Sequence, residues 1–369
     1  MDATEGGRSF VVPDEDDPAF FNPAMELNRD ITVAVLRAAR GSYVPDDAPS
    51  YLDAMAAAGV RGVRAGIEGY RVTSCDRSEA ALEYTRTNLD RHGIDAEVVR
   101  DDVRRILHAS HFDVVDIDPF GSPMPYAGAA VCGTDRLLCV TATDTAPLCG
   151  AHKPAGIRRY ASVPSITVDH PEIGLRTLIG ALVRTAAVHD VAAEPILSHT
   201  TRHYHRTYLA LKSGAQVADD ALAQVGFLER CDACRWRYEA TGLAPVLRDT
   251  CPACDGRLTR VGPLWLGRYR NAEFTAAVEG SIDGAMGQAT KARRLLERLA
   301  GEADVVGHHD HHEVCDRLEL PAGPMAEVLD GLRERGYVAT RTHVGGTTFK
   351  TDAPAEAIEA VVTEGAASA

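Results

Sequence analysis

Asp118, Pro119 and Phe120 stand in a row at the end of an apolar run, in the stretch FDVVDIDPFGSP (112–123). A short apolar run of this kind reads as a buried strand. In open α/β sheets the carboxyl ends of strands are where ligands bind. The three residue types suit one task. The carboxylate accepts one N–H of a substrate amine and the Pro119 carbonyl accepts another. The Phe120 ring stacks on a flat substrate, and stacking of a base on an aromatic ring is worth ~1–3 kcal/mol. Holding both protons of an exocyclic amine aims its lone pair and favours the positive charge that grows on nitrogen as it attacks an electrophilic carbon. No strong base is required, because the proton becomes acidic as the bond forms. Taken alone, Asp-Pro-Phe is also an ordinary strand-to-turn sequence.

Two further acids close strand-like segments. YRVTSCD (70–76) ends on Asp76, and AEVVRDDV (96–103) carries Asp102 next to Val103. A carboxylate ending the second strand of such a sheet accepts both hydroxyls of a ribose. One ending the third can reach an adenine amino group. The first loop, Ala56–Gly62, contains glycines but no GxGxxG, so a pyrophosphate cradle is not supported. S-adenosylmethionine is a nucleoside cofactor without phosphate and needs none. Its carboxylate suits the planar fork of an arginine, and Arg29 is a candidate. The plain alternative for Arg29 is a surface pairing with Glu26 or Asp30.

The elements that must position these groups follow from periodicity. Residues 26–40 are helical, and YLDAMAAAGVRGVRAGIEG reads as a strand, a small-residue loop and a helix. Strand 70–76 leads to a helix with Ser78 as its cap and Gly93 as its stop. A short helix over 103–109 and a strand ending in Asp144 follow. After a helix over 172–190 come two strands close together, EPILSHT and HRTYLALK. Strands alternating with helices predict an α/β fold with a parallel, doubly wound sheet, and the last pair predicts an antiparallel hairpin at one edge. The character changes after Gly214. We therefore divide the chain into a first domain, 1–214, and a smaller α+β domain, 215–369, with a cysteine module at 228–260 and a winged-helix-like end at 286–354. Helices and a Gly-Gly turn in GYVATRTHVGGTTFKTDAP carry the last reading. The start of the chain reads as loose, and its end as an alanine-rich tail.

Four of the nine cysteines form two CxxC pairs, Cys231/Cys234 and Cys251/Cys254. That spacing signals zinc held by two short loops, in a closed and therefore structural site, with redox chemistry the weaker alternative. HHDHHE (308–313) is too contiguous to converge on one ion and reads as a polar connector. His203, Tyr204 and His205 read as strand-entry residues.

The formal charge is −14, with 53 Asp and Glu against 39 Lys and Arg, and only four of these cations are lysines. That sign is wrong for an ordinary nucleic-acid binder. Abundant acid with little lysine is, however, typical of proteins working in multimolar salt, where charges are screened to within ~3 Å. Charge alone then excludes no partner. No apolar run is long enough to span a bilayer, and the acidic N-terminus has no secretory core, so a cytoplasmic location is expected.

Longer stretches carry a family likeness. FFNPAMELNRD (20–30), GVRGVR (59–64), DIDPFGSP (116–123), TATDTAPLCGAHKPAGIRRY (141–160), GPLWLG (262–267) and ATRTHVGGTTFKTDAP (339–354) spread over nearly the whole chain. In these the sequence resembles the tRNA (guanine-26 N(2))-dimethyltransferases, in an archaeal and halophilic form. The resemblance implies a class I methyltransferase domain using S-adenosyl-L-methionine, a family-specific C-terminal domain and tRNA as the partner, and it points to no protein partner. It further implies that Arg29 and Arg64 meet the methionine end of the cofactor. Asp76 would hold the ribose, and Asp102 with Val103 the adenine. Asp118 would act as catalytic acceptor, and Phe20 and Phe120 would sandwich the guanine, with Phe21 able to replace Phe20. The residues by themselves leave open an amine methyltransferase acting on another RNA base, or an idle RNA-binding copy of the scaffold.

Overall fold

The computed structural model describes residues 1–14, 16–17 and 19–368. The start of the chain is not loose. Strands β1 (Asp2–Glu5) and β2 (Arg8–Val11) form an antiparallel hairpin. Its two-residue turn, Gly6-Gly7, has φ of 55° and 69°, the left-handed backbone that tight hairpins need and glycine adopts freely. The hairpin is tied down by Asn88, whose side chain bonds both the N–H and the carbonyl of Val11 at 2.8 Å.

Helix α1 (Glu26–Ala39) leads into alternating strands and helices: β3 (Ser50–Asp53), α2 (Val60–Ile67), β4 (Arg71–Asp76), α3 (Glu79–His92), β5 (Ala96–Arg100), α4 (Val103–Ala109), β6 (Phe112–Ile117), α5 (Met124–Gly133) and β7 (Thr134–Ala142). Ser78 caps α3, and Gly93 ends it with φ 63°. Short helices α6 (Thr145–Leu148) and α7 (Lys153–Tyr160), then the long α8 (His170–Ala187), precede the hairpin β8 (Val191–Thr200) and β9 (His205–Ser213). The sheet order is β5-β4-β3-β6-β7-β9-β8. The first five strands are parallel, and β9 is antiparallel to both neighbours. The expected edge hairpin is therefore present. Its short link permits only an antiparallel return, since a parallel one needs a crossover of about a dozen residues. The order reverses between β3 and β6, and the crevice outside their carboxyl ends is where such sheets bind ligands.

The second half begins with α9 (Ala215–Leu222) and a three-stranded sheet of β10 (Val225–Cys231), β11 (Arg237–Thr241) and β12 (Leu258–Trp265), ordered β11-β10-β12. Helices α10 (Ala272–Gly280) and α11 (Ala289–Gly301) follow. Then come β13 (His309–Asp310), α12 (His311–Arg317), α13 (Met325–Glu334), β14 (Ala339–Arg341), β15 (Thr348–Thr351) and α14 (Ala355–Ser368). From α11 to β15 this is the winged-helix order, with β14 and β15 as the wing. The core does not stop at Gly214. Trp265, Tyr269, Phe274, Val278 and Leu296 are buried in one cluster with Leu36, Val114 and Leu178 of the first half. Helices α10 and α11 cover the apolar side of α1 that the sheet leaves bare. The terminal unit, around Leu332, Phe349 and Val361, has a core of its own.

Candidate active site

A cavity of ≈480 Å³ opens at the carboxyl ends of β3, β4, β5 and β6. Arg29, Asp76, Asp102, Val103, Asp118, Pro119, Phe120 and Phe20 all line it. The fold thus gathers residues that lie up to a hundred positions apart. Its floor is the loop after β3. Gly62, in the first turn of α2, is backed so closely by Ser74 that an added Cβ would lie 2.8 Å from the Oγ. Glycine there lets the helix start close to the sheet.

Each acid is aimed by local hydrogen bonds. Asp76 accepts the Ala57 N–H at 3.1 Å and the Ser78 N–H at 2.9 Å. Asp102 caps α4, accepting the Arg104 N–H at 3.0 Å and the Arg104 Nε–H at 2.9 Å. Hydrogen bonding to Arg104 pulls the Asp102 carboxyl down to about 2. Asp118 is fixed from below. Arg61 on α2 donates through Nη2 to Asp118 Oδ2, which leaves Oδ1 as a further acceptor.

Arg61 belongs to a buried network that the sequence does not announce. Its Nη1 donates to Thr32 at 3.1 Å and to Asp116 at 3.3 Å, and its Nη2 to Asn28 at 3.1 Å. Arg206 on β9 grips Asp116 in bidentate fashion at 2.8 and 2.7 Å, and the Tyr51 hydroxyl donates to it at 3.0 Å. Burial alone would raise the Asp116 carboxyl, but Arg206 and Arg61 outweigh it and hold it below its usual range. Asp53, ending β3, has a weaker set. It accepts the Gly62 N–H at 2.9 Å, and burial pushes it up to about 7 against the pull of Arg61.

Two sequence expectations change in detail. Arg64 is not on the cavity wall. It lies behind, donating to Asp30 at 2.6 Å and reaching Glu5 at 3.5 Å. Glu5, supplied by the N-terminal hairpin and only 3% exposed, also takes the Nε–H of Arg29 at 2.7 Å and its Nη2. Arg29 therefore pairs with neither Glu26 nor Asp30. Those two carboxylates instead accept from Gln288. Arg61 and Arg64 sit one turn apart in GVRGVR, and only the phase of α2 decides which one faces the cavity. The second change concerns the rings. Phe20 and Phe120 meet edge to face, with centroids 4.4 Å apart and planes at 66°. They are 45% and 73% exposed and cover each other, so a base enters between them only when they part.

The four module cysteines converge. Their sulfurs all lie within 4.8 Å of one another, with Cys231–Cys254 and Cys234–Cys251 each at 3.5 Å. A tetrahedral zinc with Zn–S of ~2.3 Å sets sulfurs ~3.8 Å apart, whereas a disulfide needs ~2.05 Å. The donor set and its spacing fit zinc. The HHDHHE run does not converge. His308 bonds Glu172 at 3.3 Å, His309 is in β13, and Asp310 caps α12. It is a connector, but a buried one at His308 and His311. Of the strand-entry residues, Tyr204 and His205 are buried and His203 is exposed.

Comparison with known proteins decides the family. Residues 4–363 match the model of the N2,N2-dimethylguanosine tRNA methyltransferases. The chain belongs to this family. It is 48% identical to the tRNA (guanine(26)-N(2))-dimethyltransferase of Haloarcula marismortui, over 96% of this chain and 97% of that one. To the enzyme of the same name from Natronomonas pharaonis it is 49% identical, with the same coverage. Among solved structures it is similar to Trm1 from Pyrococcus horikoshii in complex with S-adenosyl-L-methionine. That match has a TM-score of 0.88 and 32% identity, over 98% of this chain and 99% of that one. As a member of the family, the chain is a tRNA methyltransferase with a class I methyltransferase fold.

Proposed function

We propose that the cavity binds S-adenosyl-L-methionine on the side of Asp76 and Asp102 and the guanine at position 26 of tRNA on the side of Asp118 and Phe120. The observation that carries this is the Asp118 carboxylate. It is clamped by Arg61 through one oxygen and stands between an exposed aromatic pair and a nucleoside-sized cavity with acids on its far wall. The cavity fits the cofactor, since its floor is a small-residue loop rather than a phosphate cradle. Asp76 would take the ribose hydroxyls, and Asp102 with Val103 the adenine. Arg29 would meet the methionine carboxylate with the part of its fork that Glu5 leaves free, and Arg64 would steady Glu5 from behind. When bound, the cofactor supplies an electrophilic methyl group.

The chain's own part is to aim the amine and to bear charge. Asp118 Oδ1 accepts one N–H of the guanine N(2), and the Pro119 carbonyl accepts the other. The nitrogen lone pair is then directed into the cavity, and the fixed carboxylate stabilises the positive charge that forms there. Asp118 or nearby water takes the released proton. After one methyl group is in place a single N–H remains, which one acceptor can still orient, so a second round needs no new residue. Phe20 and Phe120 close on the two faces of the base, which must first leave the folded tRNA. The four cysteines would hold one structural zinc ion. A tRNA-modifying role supports a cytoplasmic location. Nucleoside mass spectrometry of unmodified tRNA, treated with protein and cofactor, tests the reading. N(2)-dimethylguanine is expected at position 26, and a methyl group on any other atom overturns it.

A further inference from the structure

In a chain of formal charge −14, several long intervals are free of acid, and three of them meet in the fold. No Asp or Glu occurs between Asp144 and Asp169, between Glu194 and Asp219, or between Glu334 and Asp352. The fold brings parts of all three to one edge. Ala142, ending β7, pairs with His205, starting β9. Cys149, just after α6, contacts the His205 ring at 3.7 Å. The Thr200 N–H, ending β8, donates to His343 of the wing at 3.2 Å. The same edge carries Phe120, since the following Gly121 exchanges hydrogen bonds with Thr143 at 2.7 and 3.0 Å.

Arg206 and Lys350 in these intervals are buried in ion pairs, but four other cations are exposed. Lys153 and Arg158 project from α7, Arg202 from the β8–β9 link, and Arg341 from the wing. Among the described residues none of the four forms an ion pair, in a protein whose other arginines mostly do. Beside the wing, Arg298 is half-buried near Arg294 and Arg341, and its pKa is lowered by burial and then by repulsion from both. A set of like charges left unneutralised, in a chain with acid to spare, is a surface awaiting an anion. Ile157 on α7 and Ile166 in the loop that follows it are exposed and offer apolar contact beside the charges.

We propose that this edge, formed by α7, the β8–β9 link and the wing, grips the phosphate backbone of the tRNA while the target base enters the cavity. The proposal rests on the reading of the cavity given above and adds where the rest of the substrate lies. It also answers the wrong overall sign of charge, because the chain, for all its net acidity, leaves these four cations without an acidic partner among the described residues.

The test is a triple variant, Lys153→Glu with Arg158→Glu and Arg202→Glu, compared with Lys212→Glu. Lys212 is exposed at the opposite end of β9, paired with Ala192. Binding of tRNA is measured across a KCl series, and cofactor binding and circular dichroism report folding. The triple variant is expected to raise the tRNA Kd ~10-fold or more and to flatten the slope of log K against log salt by ~2, while Lys212→Glu stays within about twofold of wild type. A folded, cofactor-binding triple variant with the same Kd and slope as Lys212→Glu overturns the docking edge. The two readings fail separately: absence of methyl transfer to tRNA by the wild type overturns the reading of the cavity instead.

Discussion

Arg61 places one guanidinium against two carboxylates, Asp116 beneath the cavity and Asp118 on its wall. The pair with Asp116 is fully buried and structural. In the proposed mechanism the pair with Asp118 fixes an acceptor for the substrate. Asp118→Ala is expected to lower kcat ~10²-fold or more, the scale for losing one preorganised electrostatic contact, while the Kd for S-adenosyl-L-methionine stays close to wild type. Single-turnover methylation beside calorimetric titration of the cofactor separates the two, and near-normal turnover would remove Asp118 from its role. Asp53 predicts a pH effect on stability. Its folded pKa of about 7 lies above the ordinary 3.8 because burial disfavours the charged form. The stability this contributes is complete below the unfolded value and is lost as pH rises through about 7. Asp53→Asn has no such loss. Its Tm relative to wild type should therefore climb between pH 5 and pH 8, by ~2 °C or more. Thermal unfolding across that range checks it, and a pH-independent difference would mean that Asp53 is ionised throughout.

Elements reach the site indirectly as well as directly. The β1–β2 hairpin contributes no wall residue, yet its Glu5 holds Arg29, and Asn88 of α3 holds the hairpin. The cysteine module stands apart from the cavity, because its loops hang from β10 and β12 rather than from the seven-stranded sheet. Cys251 is fully buried, so loss of its thiolate leaves a site with three ligands and a polar group in its place. Purified, reduced wild type is expected to carry one zinc per chain. Cys251→Ser should lose about half of it or more and melt earlier, since the binding energy of a structural zinc is folding energy. Elemental analysis with thermal unfolding reads both, and a metal-free wild type of unchanged stability would refute the assignment.

Across the molecule the acid excess governs solution behaviour. A net charge of −14 repels tRNA at low salt, where the Debye length is ~10 Å at 0.1 M and falls to ~3 Å at 1 M. The cationic edge pulls the other way, and its phosphate contacts weaken steadily as salt rises. At low salt the repulsion acts over the whole surface and also strains the fold, so its relief wins first. Methylation is expected to rise with KCl from ~0.1 M and to peak above ~1 M, where screening is nearly complete. Initial rates against KCl, with circular dichroism in the same buffers, check this. A protein that is folded and most active at the lowest salt would show that the acidity has another origin.

Much of this was legible before any coordinates. Period-2 and helical patterns placed the parallel strands and the edge hairpin. Ser78 and Gly93 bounded their helix, the acids Asp76, Asp102 and Asp118 marked strand ends, and the CxxC spacing marked the cysteine cluster. All of these are local signals, set by backbone preference over a few residues. The remainder depends on contacts between distant segments. Whether Arg61 or Arg64 faces the cavity is set by how α2 packs on the sheet. Glu5 meets Arg29 because a four-residue strand, too short and polar to stand out, folds back across the helices. Arg206 finds Asp116 only because β9 inserts beside β7 rather than at the edge. The core runs past Gly214 because α1 needs α10 and α11 to cover it. A chain spells out its elements through short-range stereochemistry. Which charge meets which is decided when burial removes water and each group must find a partner inside the fold.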